Sequence, residues 1–139
     1  MSMLPLVTMA EHPNAERIRS LFRAFERGDL EAINDVLPEN AVWNFPGNLG
    51  RLAGTHRGRQ AIFEFLSKVM ELTNGTFRLE LIDVIANDEN AVAIFRGHGV
   101  RKDRVFDNHT CLRMRLDHGR VVELWEFVWD LYDVDDFWS

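Results

Sequence analysis

The sequence predicts an α+β fold in which a curved antiparallel sheet is closed by N-terminal helices around an apolar interior. Three observations lead there. Apolar residues recur at helical spacing in the first half of the chain and at a period of two from Thr76 onward. Turn signals at Asn87–Asn90, Arg101–Asp103 and Asp117–Gly119 cut the second half into lengths that suit strands. With 46% hydrophobic residues, ten Phe and four Trp, 139 residues suffice for one domain with a substantial core. Helices first and strands after imply a layered design, with the concave face of the sheet against the helices.

Residues 1–11 carry no helical or strand pattern and are expected to be a flexible segment. They lack the basic start of a signal peptide, and Pro5 interrupts a short apolar run. Asn14 to Arg27 places Ile18, Leu21, Phe22 and Phe25 at helical spacing, with Pro13 before it and Gly28 after it as start and stop. Asp29 is placed to cap a shorter helix carrying Leu30, Ile33, Val36 and Leu37, which Pro38 ends. Ala41–Phe45 reads as a short strand running into a loop, Pro46–Gly50. Ile62, Phe63, Leu66, Val69 and Met70 mark a third helix, stopped by Asn74-Gly75. Gly54–Gly58 has two glycines but follows no clear strand.

Four long strands follow, Phe77–Ala86, Ala91–Val100, Arg104–Leu116 and Arg120–Asp130. The last is apolar on both faces, so both are expected to be covered. Alternation puts Val122, Leu124, Glu126, Val128 and Asp130 on one side and Val121, Glu123, Trp125, Phe127 and Trp129 on the other. Glu126 between Leu124 and Val128 is therefore a carboxylate held away from bulk water, a costly placement unless it is paired or protonated.

In the second long strand Arg96 and His98 follow Val92 and Ile94 on one face. If that face bears Glu126, the three form an acid/base set: a proton acceptor (Glu126 or His98), a fixed cation (Arg96) and apolar walls that move pKa values towards neutrality. A buried Arg96–Glu126 ion pair without catalysis fits the same pattern, and His98 between two glycines fits a plain hydrogen-bonding role. Asn108, Thr110 and Leu112 share a face in the third strand, while Asp107 and His109 take the other. Asp130 is either a second carboxylate or a cap at the strand end. Trp43 and Phe45 alternate with Asn44 on the first strand.

The formal charge of −6, from 16 basic and 22 acidic residues, argues against a nucleic-acid or anionic-membrane partner. Arg96, Arg101, Lys102 and Arg104 read as solvated charges at a hairpin end. The single Cys111 excludes an internal disulfide and a cysteine zinc cage and suits a reducing cytoplasm. No His-Glu-x-x-His pair, phosphate loop or serine elbow is present, so neither metal nor cofactor is expected.

The order of elements, Phe25-Glu-Arg-Gly-Asp-Leu-Glu-Ala32, Trp43-Asn-Phe-Pro46, Arg57-Gly-Arg-Gln-Ala-Ile62 and Asp117-His-Gly-Arg-Val-Val-Glu123 resemble the nuclear transport factor 2-like superfamily. That superfamily includes the SnoaL-like polyketide cyclases, ketosteroid isomerases and limonene epoxide hydrolase. The resemblance spans nearly the whole chain and implies a cone of curved sheet around an apolar pocket, often dimeric through the sheet. The ketosteroid isomerase positions fall on Leu21, Phe45 and near Leu112, so that mechanism is not expected. The epoxide hydrolase pattern falls on Arg96, His98 and Glu126, with Trp43 in place of its tyrosine; the SnoaL-like acid after a tryptophan matches Trp125-Glu126.

Together these readings imply a cofactor-independent enzyme with Glu126, Arg96 and His98 as catalytic residues. Trp43, Phe45, Asn108, Leu112, Leu124, Val128 and Asp130 would contact an apolar small molecule. A ligand-binding or dimerisation module remains the alternative, and a protein-interaction adaptor a third reading. Trp125, Phe127 and Trp129 are expected to bury a homodimer interface on the outer sheet face.

Overall fold

A computed structural model describes residues 11–48 and 50–139, and among these the chain forms four helices and six strands. Of the segment expected to be flexible, residues 1–10 lie outside the described residues. Glu11 accepts a hydrogen bond from Arg19 at 2.8 Å.

The helices start and stop where the local chemistry directs. In α1 (Pro13–Arg27) the His12 ring accepts from the Asn14 amide at 3.1 Å, and Gly28 ends the helix in the left-handed conformation at φ 66°. Its buried stripe includes Ile18, Leu21 and Ala24. The Asp29 carboxylate caps α2 (Leu30–Val36) through the Ala32 amide, and α3 (Arg59–Leu72) buries Ile62, Phe65 and Val69.

The strands are β1 (Val42–Phe45), β2 (Gly54–Arg57), β3 (Arg78–Ala86), β4 (Asn90–Arg101), β5 (Arg104–Asp117) and β6 (Arg120–Val128). They form one sheet in the order β2-β1-β6-β5-β4-β3. The predicted α+β class holds, and β6 is central as expected. Besides a C-terminal fourth helix, two features of the sheet go beyond the expectation. Gly54–Arg57, which the sequence left without a clear role, is an edge strand, and β1 runs parallel to β6 in the register Trp43↔Leu124, so one ladder is not antiparallel.

Side-chain alternation decides which residues face the helices, and in two places it departs from the sequence reading. In β4 the inward residues are Ala91, Ala93, Phe95, Gly97, Gly99 and Arg101, leaving Val92, Ile94, Arg96 and His98 on the convex face. Phe77 explains the glycines: a Cβ on Gly97 or Gly99 would lie 3.1 or 3.2 Å from it. In β6 a register shift at Leu116↔Val121 skips Val122, so Val121 is buried on the inner side rather than sharing the outer row.

The C-terminal residues form α4 (Leu131–Trp138), with Val134, Phe137 and Trp138 buried. Arg101 is not solvated as predicted. It is buried and donates through Nη1 to the carbonyls of Phe137 and Ser139 at 2.8 and 2.7 Å, satisfying the end of α4. Arg104 also reaches α4, donating to the Asp136 carbonyl and pairing with its carboxylate. No described helix is long and apolar enough to cross a membrane.

Candidate functional site

Helices α1 and α3 and the inner sheet face enclose a cavity of about 1020 Å³ with a mainly aromatic and aliphatic wall. Alternation along three neighbouring strands delivers its central residues. Trp43 and Phe45 come from β1, Thr110 and Leu112 from β5, and Leu124, Glu126 and Val128 from β6. Six predicted site residues thus meet: Glu126, Trp43, Phe45, Leu112, Leu124 and Val128. Leu21, Phe45 and Leu112, the positions that ketosteroid isomerases would make polar, line this cavity with hydrocarbon.

Glu126 is the group with unusual electrostatics. Its Oε1 accepts from Trp43 Nε1 at 3.1 Å, and Oε2 has no partner among the described residues. The Trp43 ring is itself braced by Phe65, with centroids 5.4 Å apart. Glu126 keeps some accessible surface because it lines the cavity, yet the surrounding protein is dense enough to strip it of most hydration. Burial pushes its carboxyl up to about 7, against a smaller downward pull from the Trp43 hydrogen bond. Near neutral pH this acid is therefore poised between its two forms, the condition under which one group both delivers and removes protons.

Arg96 and His98 do not join it. Both point from the convex face, because β4 places its small residues inward to receive Phe77. Arg96 Nε donates to Asp107 Oδ1 at 2.6 Å, and Glu80 lies 4.0 Å from the guanidinium. The hydrogen bond from Arg96 holds the Asp107 carboxyl below the usual carboxylate range. His98 stands directly across from Asp107 in the β4/β5 register. The acid/base triad of Glu126, Arg96 and His98, the buried Arg96–Glu126 ion pair and the epoxide hydrolase pattern are all overturned by this separation.

Two further expectations are corrected. Asn108 is buried but does not line the cavity. Its amide donates to the Asp130 carbonyl at 3.3 Å and its oxygen accepts from the Trp129 amide at 3.2 Å, fastening the end of β6. Asp130 does not line the cavity either; of the two readings offered for it the cap holds, its carboxylate accepting from the Asp133 amide at 3.1 Å. Thr110, which the sequence grouped with Asn108 as a source of polar contacts, is the one of the two that lines the cavity. Its alternation with Leu112 was the available signal.

The cavity reaches solvent between α1, α3 and β3, where Arg23, Glu26, Ser67, Met70, Arg78 and Leu79 are exposed. Among the described residues, no group of three or more His, Cys, Asp or Glu side chains is placed to hold a metal ion.

Comparison with known proteins places this architecture. The structure of Bal32a, from a soil-derived mobile gene cassette, superposes with a TM-score of 0.85 at 35% identity over 91% of this chain and 96% of that one. A provisionally assigned SnoaL-like polyketide cyclase from Jannaschia sp. CCS1 shares the fold, with a TM-score of 0.75 and 18% identity over 100% of this chain and 97% of its own. Mycobacterium tuberculosis Rv0034, an uncharacterized protein, is 28% identical over 132 residues, covering 94% of this chain and all of its own. The family model of the SnoaL-like domain matches residues 18–124, more than half of the sequence. The chain therefore belongs to the SnoaL-like domain family.

Proposed function

We propose that this chain is a small cofactor-independent enzyme performing general acid/base chemistry, of isomerase, cyclase or hydrolase type, on an apolar small molecule. Glu126 is its proton carrier. The observation that carries the reading is a carboxyl group with near-neutral proton affinity, pinned at one oxygen by Trp43 and open at the other, in the wall of an apolar cavity.

The polyketide cyclase assignment of the Jannaschia neighbour suggests an enolisable carbonyl compound as substrate. In such a molecule the Glu126 carboxylate takes a proton from the carbon beside the carbonyl. The C–H electron pair becomes the C=C bond of an enolate, and the carbonyl π pair moves to oxygen. The protonated Glu126 returns the proton at the same carbon or at another one. Methyl-proton exchange of 2-acetylnaphthalene in D2O, followed by NMR, tests this step. Wild-type protein should accelerate exchange and Glu126→Gln should not; equal exchange in the two proteins overturns the assignment.

One observation favours the alternative, a non-catalytic ligand-binding module. With Arg96 and His98 on the far side of the sheet, the hydrogen-bond partner of Glu126 among the described residues is Trp43, which is not an acid or base. That reading expects 2-acetylnaphthalene to bind wild type and Glu126→Gln alike, with no exchange above buffer.

For the outer face we propose a homodimer interface. Phe127 and Trp129 are 58% and 87% exposed, and Trp125 lies under the Arg113 guanidinium at 4.5 Å from its ring centroid. Sedimentation should give a dimer that Phe127→Glu dissociates, and a monomeric wild type would refute it. A cytoplasmic location, without nucleic-acid or membrane partners, fits the acidic charge and the single free Cys111.

A further inference from the structure

The buried polar side chains of this protein divide sharply. Asn14 donates to the carbonyls of Asn87 and Asp88, Thr73 to that of Val69, Arg101 to those of Phe137 and Ser139, and Asn108 bridges Trp129 and Asp130. Asn34 Oδ1 is buried without a partner among the described residues but does not line the cavity; the other exception is Thr110. It is 5% exposed, it lines the cavity, and its hydroxyl has no hydrogen-bond partner among the described residues. Buried hydroxyls are normally bonded, so one left open towards a cavity is placed for something that enters it.

Its position relative to Glu126 follows from the β5/β6 register. Leu112 pairs with Glu126 and Thr110 with Val128, which makes Thr110 and Glu126 diagonal neighbours on the inner face. Such neighbours stand roughly 7–8 Å apart at Cα. They make no direct hydrogen bond, and the other two corners of this square, Leu112 and Val128, are hydrocarbon. A single functional group lying over the square thus meets one hydroxyl donor and one carboxyl group.

We infer that Thr110 is a substrate-binding residue whose hydroxyl donates to the carbonyl oxygen of a ligand while the adjacent carbon faces Glu126. This rests on the proton-carrier reading of Glu126 given above. When that carbon loses its proton to the Glu126 carboxylate, the C–H electron pair becomes the C=C bond and the carbonyl π pair moves onto the oxygen, where the Thr110 hydrogen bond meets the growing charge. The arrangement selects apolar ketones and related carbonyl compounds over hydrocarbons of the same shape, since only a carbonyl satisfies the waiting donor.

The test uses 2-acetylnaphthalene labelled with ¹³C at the carbonyl, with wild type, Thr110→Val, Thr110→Ser and Glu126→Gln. Three quantities are read: affinity from tryptophan fluorescence, the ¹³C shift of the bound carbonyl, and methyl exchange in D2O. Wild type should move the carbonyl resonance downfield. Thr110→Val, which keeps the shape and removes the hydroxyl, should lose that displacement and weaken binding about two- to tenfold. Exchange should fall by more than affinity, because the bond strengthens as charge develops. Thr110→Ser should restore all three readouts, and Glu126→Gln should keep the carbonyl displacement while losing exchange.

An unchanged bound resonance in Thr110→Val overturns the inference, and so does failure of wild type to take up the ketone. A Thr110-dependent resonance without any exchange sinks the proton-carrier reading and leaves the Thr110 contact standing. Glu126-dependent exchange with a resonance indifferent to Thr110 does the reverse. Should Thr110→Val not fold, Thr110→Ala against Thr110→Ser provides the same comparison.

Discussion

Replacing Glu126 by Gln should stabilise this protein, and only above a certain pH. The buried carboxyl has its proton affinity raised from 4.5 to about 7, which corresponds to about 3 kcal/mol between folded and unfolded states. Between those pH values the folded protein keeps a proton on Glu126 that the unfolded chain has released. Wild-type stability therefore falls as pH rises through that window, and the full penalty is in place above it. Glutamine is neutral throughout and still offers an oxygen to Trp43 Nε1. The variant should match wild type near pH 4 and exceed it by about 3 kcal/mol at pH 8, roughly 10 °C in melting temperature for a chain of this size. Urea titrations at both pH values provide the measurement, other titrating groups cancelling in the difference. Equal stability at pH 8 would show that the site hydrates the carboxylate well. A less stable variant there would show the carboxylate holding the fold together through a partner.

Three more perturbations separate the site from its scaffold. Trp43→Phe removes the one hydrogen bond that favours the ionised form, so the Glu126 carboxyl should titrate higher than in wild type. A ¹³C titration of that carboxyl reads it, and an unmoved midpoint would mean the bond is lost in solution. Arg96→Ala should leave ketone exchange and affinity untouched, because its guanidinium sits with Asp107 across the sheet from the cavity; a drop in exchange would place it back in the chemistry. Arg101→Met removes both bonds to the final carbonyls of α4 and should cost about 2–3 kcal/mol in urea unfolding. Unaltered stability would mean that Phe137 and Trp138 hold α4 by packing alone.

The path from sequence to site was readable wherever one physical rule acted alone. Period, caps and turns located three helices and four long strands, and Glu126 stood out because a carboxylate between Leu124 and Val128 has few cheap explanations. The rule failed where two demands competed on one strand. Val92 and Ile94 suggested that their face was the buried one, but Gly97 and Gly99 pack against Phe77, and the alternation this sets sends Ala91, Ala93 and Phe95 inward and Arg96 and His98 outward. Arg101 shares the parity of those glycines, so the same correction carries it inside. The skipped Val122 has no signature in a run of strand formers, since a bulge depends on what its partner strand does. Helix α4 was not read from the sequence: Asp130 is a capping residue and Val134 and Phe137 are three apart, but eight residues give the period little room to declare itself. Thr110 could be placed on the correct face from the sequence, while its lack of a partner required every neighbour to be known.

The parallel ladder between β1 and β6 carries a consequence for when the acid exists. Trp43 and Glu126 are 83 residues apart, and their hydrogen bond depends on a junction between a short strand near one end of the fold and the central strand of the sheet. Glu126 holds its proton tightly only while that junction is closed. If the edge pair β1 and β2 swings away, water reaches the carboxyl and it reverts to an ordinary glutamate, releasing its proton at neutral pH. Opening of this edge is thus linked to proton release, and its frequency should rise with pH across the range in which Glu126 titrates.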